Sequence, residues 1–311
     1  MQDTPDLAVV IVSYKVRGLL RRCLASVLAS DGGLGSEVYV VDNASHDGSA
    51  EMVRAEFPGV RLITSDHNGG FPFANNLALR LIRETHAAWP RYVLLLNPDT
   101  ELDPTALARM VEFLDDHPEA GAAGPKLVRP DGSLDLACRR SFPSPEVSLY
   151  RMIGLSRLLP RSRRFGRYNL TFLDPDEVSE VDSVVGAFMM VRGALLDQVG
   201  LLDEGFFMYG EDLDWAYRMK ARGWRVLYNG RVSVLHHKGA SSGQRSRQST
   251  VEFYRAMLVF FRKHYADKTC RPLRWAVVFA INASASLALL RGAVLGRRPG
   301  LARSPARGAR A

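Results

Sequence analysis

The sequence predicts an α/β protein with a mostly parallel central sheet flanked by helices. Three observations carry this. Continuous apolar runs such as Leu7–Val12 and Tyr92–Leu96 have no polar face, as expected of strands buried on both sides. Between such runs, apolar residues recur at helical spacing, as in Val16, Leu19, Leu20, Cys23, Leu24, Val27 and Leu28. The two patterns alternate along the N-terminal third, an order in which helices act as crossovers between parallel strands.

Taken in order, residues 7–12 form the first strand and 16–28 the first helix. Glu37–Val41 is the second strand, ending at Asp42-Asn43. A helix over Asp47–Phe57 leads to a third strand at Val60–Ile63. Pro72–Arg83 is helical, with proline in the first turn, where its missing N–H is tolerated. Residues 92–96 form the fourth strand, and Pro104–Asp115 a helix capped by Asp103. Farther on, Val184–Val191 reads as a buried strand and Asp212–Arg222 as a helix stopped by Gly223. Arg225–Tyr228 and Val232–Leu235 read as short strands. Thr250–His264 is a helix with Phe253, Met257, Leu258, Phe260 and Phe261 on its apolar face.

Charge and cysteine content exclude several function classes. The 311-residue chain carries a net charge of +8. Six of those charges are arginines in residues 291–311, a stretch without acids, so residues 1–290 carry only +2. Nucleic acid is therefore not the expected partner. The three cysteines (Cys23, Cys138, Cys270) are far apart and form no CxxC, so reduced thiols are expected rather than disulfides or a zinc knuckle. Asp3 and Asp6 precede an apolar run too short for a signal peptide. Residues 139–167 hold eight arginines against one acid, Glu146, interleaved with Met152, Ile153, Leu155, Leu158 and Leu159. This is either a grip for an anionic lipid-linked group or a solvated basic face. Residues 275–290 form the longest uncharged stretch; as a helix they rise about 24 Å, short of the roughly 30 Å hydrocarbon core. Arg271, Arg274 and Arg291 flank them, as in a helix lying in a membrane face.

Polar residues at strand ends locate the site. In open α/β sheets, ligands bind beyond the carboxyl ends of the strands. Ser13, Asp42, Asn43 and Asp99 all fall there. No GxGxxG or GxxxxGK[ST] follows a strand, which argues against a dinucleotide dehydrogenase or P-loop enzyme. Asp42 can accept the imide N–H of a pyrimidine base or cap the turn at Asn43-Ala44-Ser45. Asn68-Gly69-Gly70 marks a turn, or a place where backbone approaches a ligand closely, and Asn75 faces either a ligand or a loop. Tyr209–Arg218 packs Glu211, Asp212 and Asp214 beside aromatic bulk, and crowded acids are costly without a cationic partner. Asp214 can pair with Arg218 at i,i+4. Trp215 is core or the wall of a binding site.

These motifs together resemble the family 2 glycosyltransferases, and among them bacterial rhamnosyltransferase-like enzymes of cell-wall and O-antigen assembly. The resemblance runs from Val9–Tyr14 through Val41–Ser49, Asn68–Phe71 with Asn75-Asn76, Leu96–Asp99, Gly186–Met189 and Phe206–Arg218 to His236–Ser242. It implies a GT-A fold over residues 1–264, with a nucleotide-binding half (1–120) and an acceptor-binding half (121–264), followed by an apolar helix and Arg-rich tail (265–311). It implies that Ser13, Tyr14, Asp42, Asn43, Asn68, Gly69, Gly70, Asn75, Asn97, Asp99, Gly186 and Ala187 meet the nucleotide-sugar. Asn97-Pro98-Asp99 occupies the place of the family's Asp-x-Asp motif. The substitution by Asn97 leaves Asp99 as the main ligand for Mg2+ or Mn2+, with His236, ahead of His237, as a second. Asp212 is implied as general base, assisted by Glu211.

The implied reaction is inverting transfer from dTDP-rhamnose, or alternatively a UDP-sugar, to a polyprenyl-diphosphate-linked glycan at the cytoplasmic face of the plasma membrane, in a protein that can form homo-oligomers. A sugar nucleotidyltransferase would want a glycine-rich basic loop, and Ser13-Tyr14-Lys15 offers none. A non-catalytic scaffold would not need the acids at 99 and 211–214.

Overall fold

The computed structural model describes residues 4–30, 33–237 and 247–295. The end of the His236–Ser242 motif and the tail arginines beyond Arg291 lie outside the described residues. Nine strands form one sheet among the described residues, in the order β3-β2-β1-β4-β8-β6-β9-β5, with β7 on β9. The N-terminal part follows the predicted alternation: β1 (Leu7–Ser13), α1 (Arg17–Ala29), β2 (Ser36–Asp42), α2 (Ser49–Glu56), β3 (Arg61–Thr64), α3 (Phe71–Thr85) and β4 (Tyr92–Leu96). These four strands are mutually parallel. All residues of β1 and β4 are buried, which is why their sequences read as unbroken apolar runs.

The remainder is mixed rather than parallel. It comprises β5 (Thr100–Leu102), α4 (Ala106–Asp115), β6 (Ala120–Val128), α5 (Pro145–Met152), α6 (Leu155–Leu158), β7 (Val178–Val181), β8 (Phe188–Arg192) and α7 (Leu196–Val199). Then come α8 (Glu211–Lys220), β9 (Arg225–His236), α9 (Arg247–His264) and α10 (Arg271–Leu295). Strand β8 runs antiparallel to both β4 and β6. The predicted strand at 184–191 begins only at Phe188; residues 184–187 instead form a turn under α8. The two strands expected at 225–228 and 232–235 are one, β9, with a register shift against β6. Strand β6 escaped notice because Ala-Gly-Ala-Ala-Gly-Pro carries none of the β-branched or aromatic residues that mark a strand. Asp103 is not the cap of α4, which begins at Ala106 after Thr105; its carboxylate instead accepts from Thr105 N–H at 3.0 Å in the preceding turn.

Helix α9 docks through a second apolar cluster of Phe206, Leu213, Ala256 and Phe260. Asp214, fully buried, fixes it there: it pairs with Arg218 (2.9 Å) as predicted, and also with Lys263 (2.8 Å) and His264 (2.7 Å) of α9. Burial works to raise its pKa, but these partners outweigh it and bring it down to about 2. The contribution to stability is thus present above the unfolded value near 4 and fades as pH falls towards 2. Asp214→Ala strands Arg218, Lys263 and His264 around a buried gap. It is expected to lower unfolding stability by about 3–5 kcal/mol at pH 7, with a smaller deficit near pH 2, in urea titrations at the two pH values.

Helix α10 is longer than the uncharged stretch. Its 25 residues rise about 38 Å. Residues 271–293 are long and apolar enough to cross a membrane, and the most apolar window is only 6% buried. It therefore does not pack into the protein's own core, as Trp275 (73% exposed) and Phe279 (74%) illustrate.

Candidate active site

Parallel register brings the polar strand ends together. Ser13 pairs in register with Asp42, and Asp42 with Thr64. Of the two roles expected for Asp42, the turn contact is present. One carboxylate oxygen accepts from Ser45 N–H at 3.4 Å; the other is buried without a hydrogen-bond partner. A groove opens beside it, edged by Gly48, Ser49, Thr64 and Ser65. Ser13 Oγ is likewise buried and unpartnered, whereas Tyr14 is exposed.

The 68–70 turn is built by Asn43. Its amide accepts from Gly69 N–H at 3.2 Å and donates to Asn68 Oδ1 at 2.8 Å. Asn68 Oδ1 also accepts from Gly70 N–H at 3.0 Å. The polar atoms of Asn43 are thereby committed to the loop. The glycines are required by close packing of the protein itself. A Cβ on Gly69 would lie 2.2 Å from the Phe73 ring; one on Gly70, at φ +92°, would lie 2.4 Å from the Phe207 carbonyl. Asn75 donates to Phe71 O at 2.8 Å, leaving its Oδ1 buried and unpartnered.

Two hydrogen bonds join the end of β4 to the start of α8. Asn97 N–H donates to Ala187 O at 3.0 Å, and Gly186 N–H donates to Asp212 Oδ2 at 2.9 Å. The segments that bear Asp99 and Asp212 are thus linked through the 186–187 turn. Left-handed backbone at Tyr209 (φ 69°) and Gly210 (φ 84°) turns the chain into α8, so Glu211 and Asp212 stand in its first turn, where the helix dipole favours negative charge. Asp212 is buried and accepts from Arg140 at 2.6 Å. Glu211 Oε2 is buried without a partner. Burial above all, with the neighbouring charge of Asp212, pushes the Glu211 carboxyl well above the usual range. Trp215 is core: fully buried, it donates to Gly200 O at 2.9 Å.

Asp99, between β4 and β5, is 2% exposed. His236, brought by the end of β9, lies with Nε2 3.3 Å from Asp99 Oδ1. Its Nδ1 faces buried Asp135 at 3.0 Å. Of the adjacent histidines, His236 is the one beside Asp99; His237 pairs with Glu101 at 2.7 Å. Among the described residues no three acid, histidine or cysteine side chains form a complete metal cage. Two cis ligands of an octahedral ion at about 2.1 Å would stand roughly 3 Å apart, so the Asp99–His236 spacing of 3.3 Å would suit two of six ligands, the rest coming from substrate and water. The second carboxylate behind the histidine is the usual orienting partner of a metal-bound imidazole.

Two residues of this site were not anticipated as such. Asp135 lies in a stretch without periodic pattern. Arg140 belongs to the basic segment expected to grip an anionic lipid-linked group or form a solvated face; it does neither and is buried against Asp212. Its neighbour Arg139 is also structural, donating to Leu173 O and Asp174 O at 2.7 and 2.6 Å.

The mixed sheet with its parallel N-terminal half is of GT-A-like type. The family model described as "Glycosyltransferase like family 2" matches residues 5–254, and the chain belongs to that family: it is a glycosyltransferase. It is 30% identical over 280 residues to the N-acetylglucosaminyl-diphospho-decaprenol L-rhamnosyltransferase of Mycobacterium tuberculosis, covering 88% of this chain and 90% of the relative. It is 25% identical to rhamnosyltransferase WbbL of Escherichia coli over 74% of this chain and 82% of the relative. Among solved structures, the mannosyltransferase of Pyrobaculum calidifontis, in complex with GDP-Man and Mn2+, superposes with a TM-score of 0.56 at 19% identity. That match covers 95% of this chain and 77% of the other, and supports the GT-A-like fold.

Proposed function

We propose that the protein is an inverting rhamnosyltransferase. It moves L-rhamnose from dTDP-rhamnose to a polyprenyl-diphosphate-linked glycan at the cytoplasmic membrane face. The near full-length similarity to the mycobacterial enzyme is the observation that carries this reading. The unpartnered polar atoms agree with it. Ser13 Oγ, Asp42 Oδ1, Asn75 Oδ1 and Glu211 Oε2 are all buried without a hydrogen bond. At about 1–3 kcal/mol each, these atoms are a cost that a bound polar substrate reaching them would offset.

Asp42 Oδ1 reads the imide N–H of the base. Asp99 and His236 hold the divalent ion, and the nitrogen ligand favours Mn2+ over the harder Mg2+. The ion, when bound, supplies positive charge to the departing nucleoside diphosphate. Asp135 fixes the ring so that Nε2 faces Asp99. Asp212, its charge balanced by Arg140, takes the proton of the acceptor hydroxyl as that oxygen attacks the anomeric carbon. Attack opposite the leaving group inverts the configuration, with no protein nucleophile. Glu211, kept protonated by its surroundings, donates a hydrogen bond to the acceptor. The two adjacent carboxyls are thus assigned different jobs by different environments.

Uracil and thymine share the imide, so Asp42 alone does not separate dTDP from UDP donors. A thermal-shift and hydrolysis screen with dTDP-rhamnose, UDP-GlcNAc, UDP-galactose and GDP-mannose decides. The largest response is expected with dTDP-rhamnose; a UDP-sugar giving it would transfer the assignment to a UDP-sugar-dependent enzyme on a similar acceptor.

A further inference from the structure

Large apolar side chains are exposed mainly in two places. Of fifteen among the described residues, five lie in 149–159 and five in 273–290. The first group is Leu149 (51% exposed), Met152, Ile153 (59%), Leu158 (74%) and Leu159, all in or beside α5 and α6. Residues 145–167 also contain six arginines and one acid. Arg164 reaches that acid, Glu146, at 3.4 Å, and Arg151 lies over the Tyr168 ring. Arg157, Arg161 and Arg163 are exposed and make no ion pair among the described residues.

The base of this lobe is pinned. Ser141 N–H donates to Tyr168 O at 2.8 Å, and Phe142 packs on Tyr217 with ring centres 5.0 Å apart. Its neighbour Arg140 holds Asp212, so the lobe rises directly from the wall of the cleft that bears Asp212. Tyr217 in turn packs on Tyr265, just past the end of α9, with ring centres 6.3 Å apart. Arg274 of α10 bonds the adjacent Ala266 O at 2.6 Å. The lobe and the root of α10 are therefore neighbours.

We infer that the α5–α6 lobe is a second membrane-contact surface, which inserts Ile153, Leu158 and Leu159 among the headgroups of an anionic phospholipid bilayer while Arg157, Arg161 and Arg163 meet lipid phosphates. An apolar tip ringed by unpaired arginines matches a negatively charged interface in both hydrophobicity and charge. Neither a soluble protein core nor solvent satisfies both. The inference goes beyond the proposed function, adding to it how the acceptor side of the cleft is held against the membrane that carries the acceptor.

The test uses the full chain. Cys23 and Cys138 are buried and Cys270 exposed, so a Leu158→Cys change in a Cys270→Ser background accepts one environment-sensitive fluorophore. With vesicles containing phosphatidylglycerol, its emission is expected to shift to the blue and to be quenched by brominated acyl chains. Pure phosphatidylcholine vesicles are expected to give little response. Replacing Arg157, Arg161 and Arg163 by Gln is expected to weaken vesicle binding at least tenfold. A probe at 158 that stays in water while one at Phe279→Cys is quenched would overturn the inference, since α10 would then be the only contact. So would a quenching that ignores lipid charge. Nucleotide-sugar hydrolysis without vesicles, expected to be unchanged in these variants, reads the transferase assignment separately.

Discussion

Asp212→Asn is expected to reduce glycosyl transfer by about 10²–10⁴-fold, the usual weight of a general base, with donor affinity nearly intact. The asparagine keeps the shape of the side chain and can still accept from Gly186 N–H and Arg140, so the start of α8 should hold. What it lacks is a place for the proton of the acceptor hydroxyl. Single-turnover transfer and donor titration, measured on one preparation, separate the two effects. Near-normal turnover would remove Asp212 from that role and leave Glu211 as the remaining carboxylate. Arg140 provides an internal control. Arg140→Leu leaves Asp212 buried without its guanidinium, an arrangement costing about 3–5 kcal/mol. It should therefore lower the melting temperature as well as activity; Asp212→Asn also leaves the buried Arg140 facing a neutral partner, but because it keeps the hydrogen bond its loss of melting temperature should be the smaller of the two.

The second large effect concerns the opposite wall. Asp99→Ala should abolish the gain in donor affinity that Mn2+ confers, leaving a weak, metal-independent binding through Asp42 and its neighbours. Removing Asp135 by Asp135→Asn should cost less, about 10–100-fold in metal affinity, because it acts through the orientation of His236. His237→Gln should change little, since His237 faces Glu101. Isothermal titration of Mn2+ in the presence of dTDP gives this ranking directly, and an unchanged Mn2+ response in Asp99→Ala would remove the ligand role.

The N-terminal strands were legible because burial on both faces forces an unbroken apolar run; the tertiary environment of β1 and β4 is written into adjacent residues. Asp42 and Asp99 were legible for the related reason that a carboxylate ending such a run has a position fixed by topology. Strand β6 was not legible: its small residues are set by close packing, as at Gly124, where a Cβ would lie 2.8 Å from Val184. Register in the second half was hidden too, since antiparallel insertion of β8 depends on long-range pairing. The site showed the same divide. Glu211 and Asp212 stood out as crowded acids, yet the partner of Asp212 lies 72 positions away among seven other arginines of like appearance. Only the fold distinguishes the buried Arg140 from the exposed Arg157. Asn43, expected at the nucleotide-sugar, instead spends its polar atoms on latching the 68–70 turn.

The most direct test is anomalous diffraction from crystals grown with Mn2+ and dTDP. A single manganese peak is expected at bonding distance from both Asp99 and His236 Nε2. The diphosphate should lie on the peak, the thymine ring against Asp42, and Asp212 should face the open end of the same cleft. Manganese bound elsewhere, or a nucleotide seated away from Asp42 and separated from Asp212 by the body of the sheet, would contradict a shared active site for these two acids.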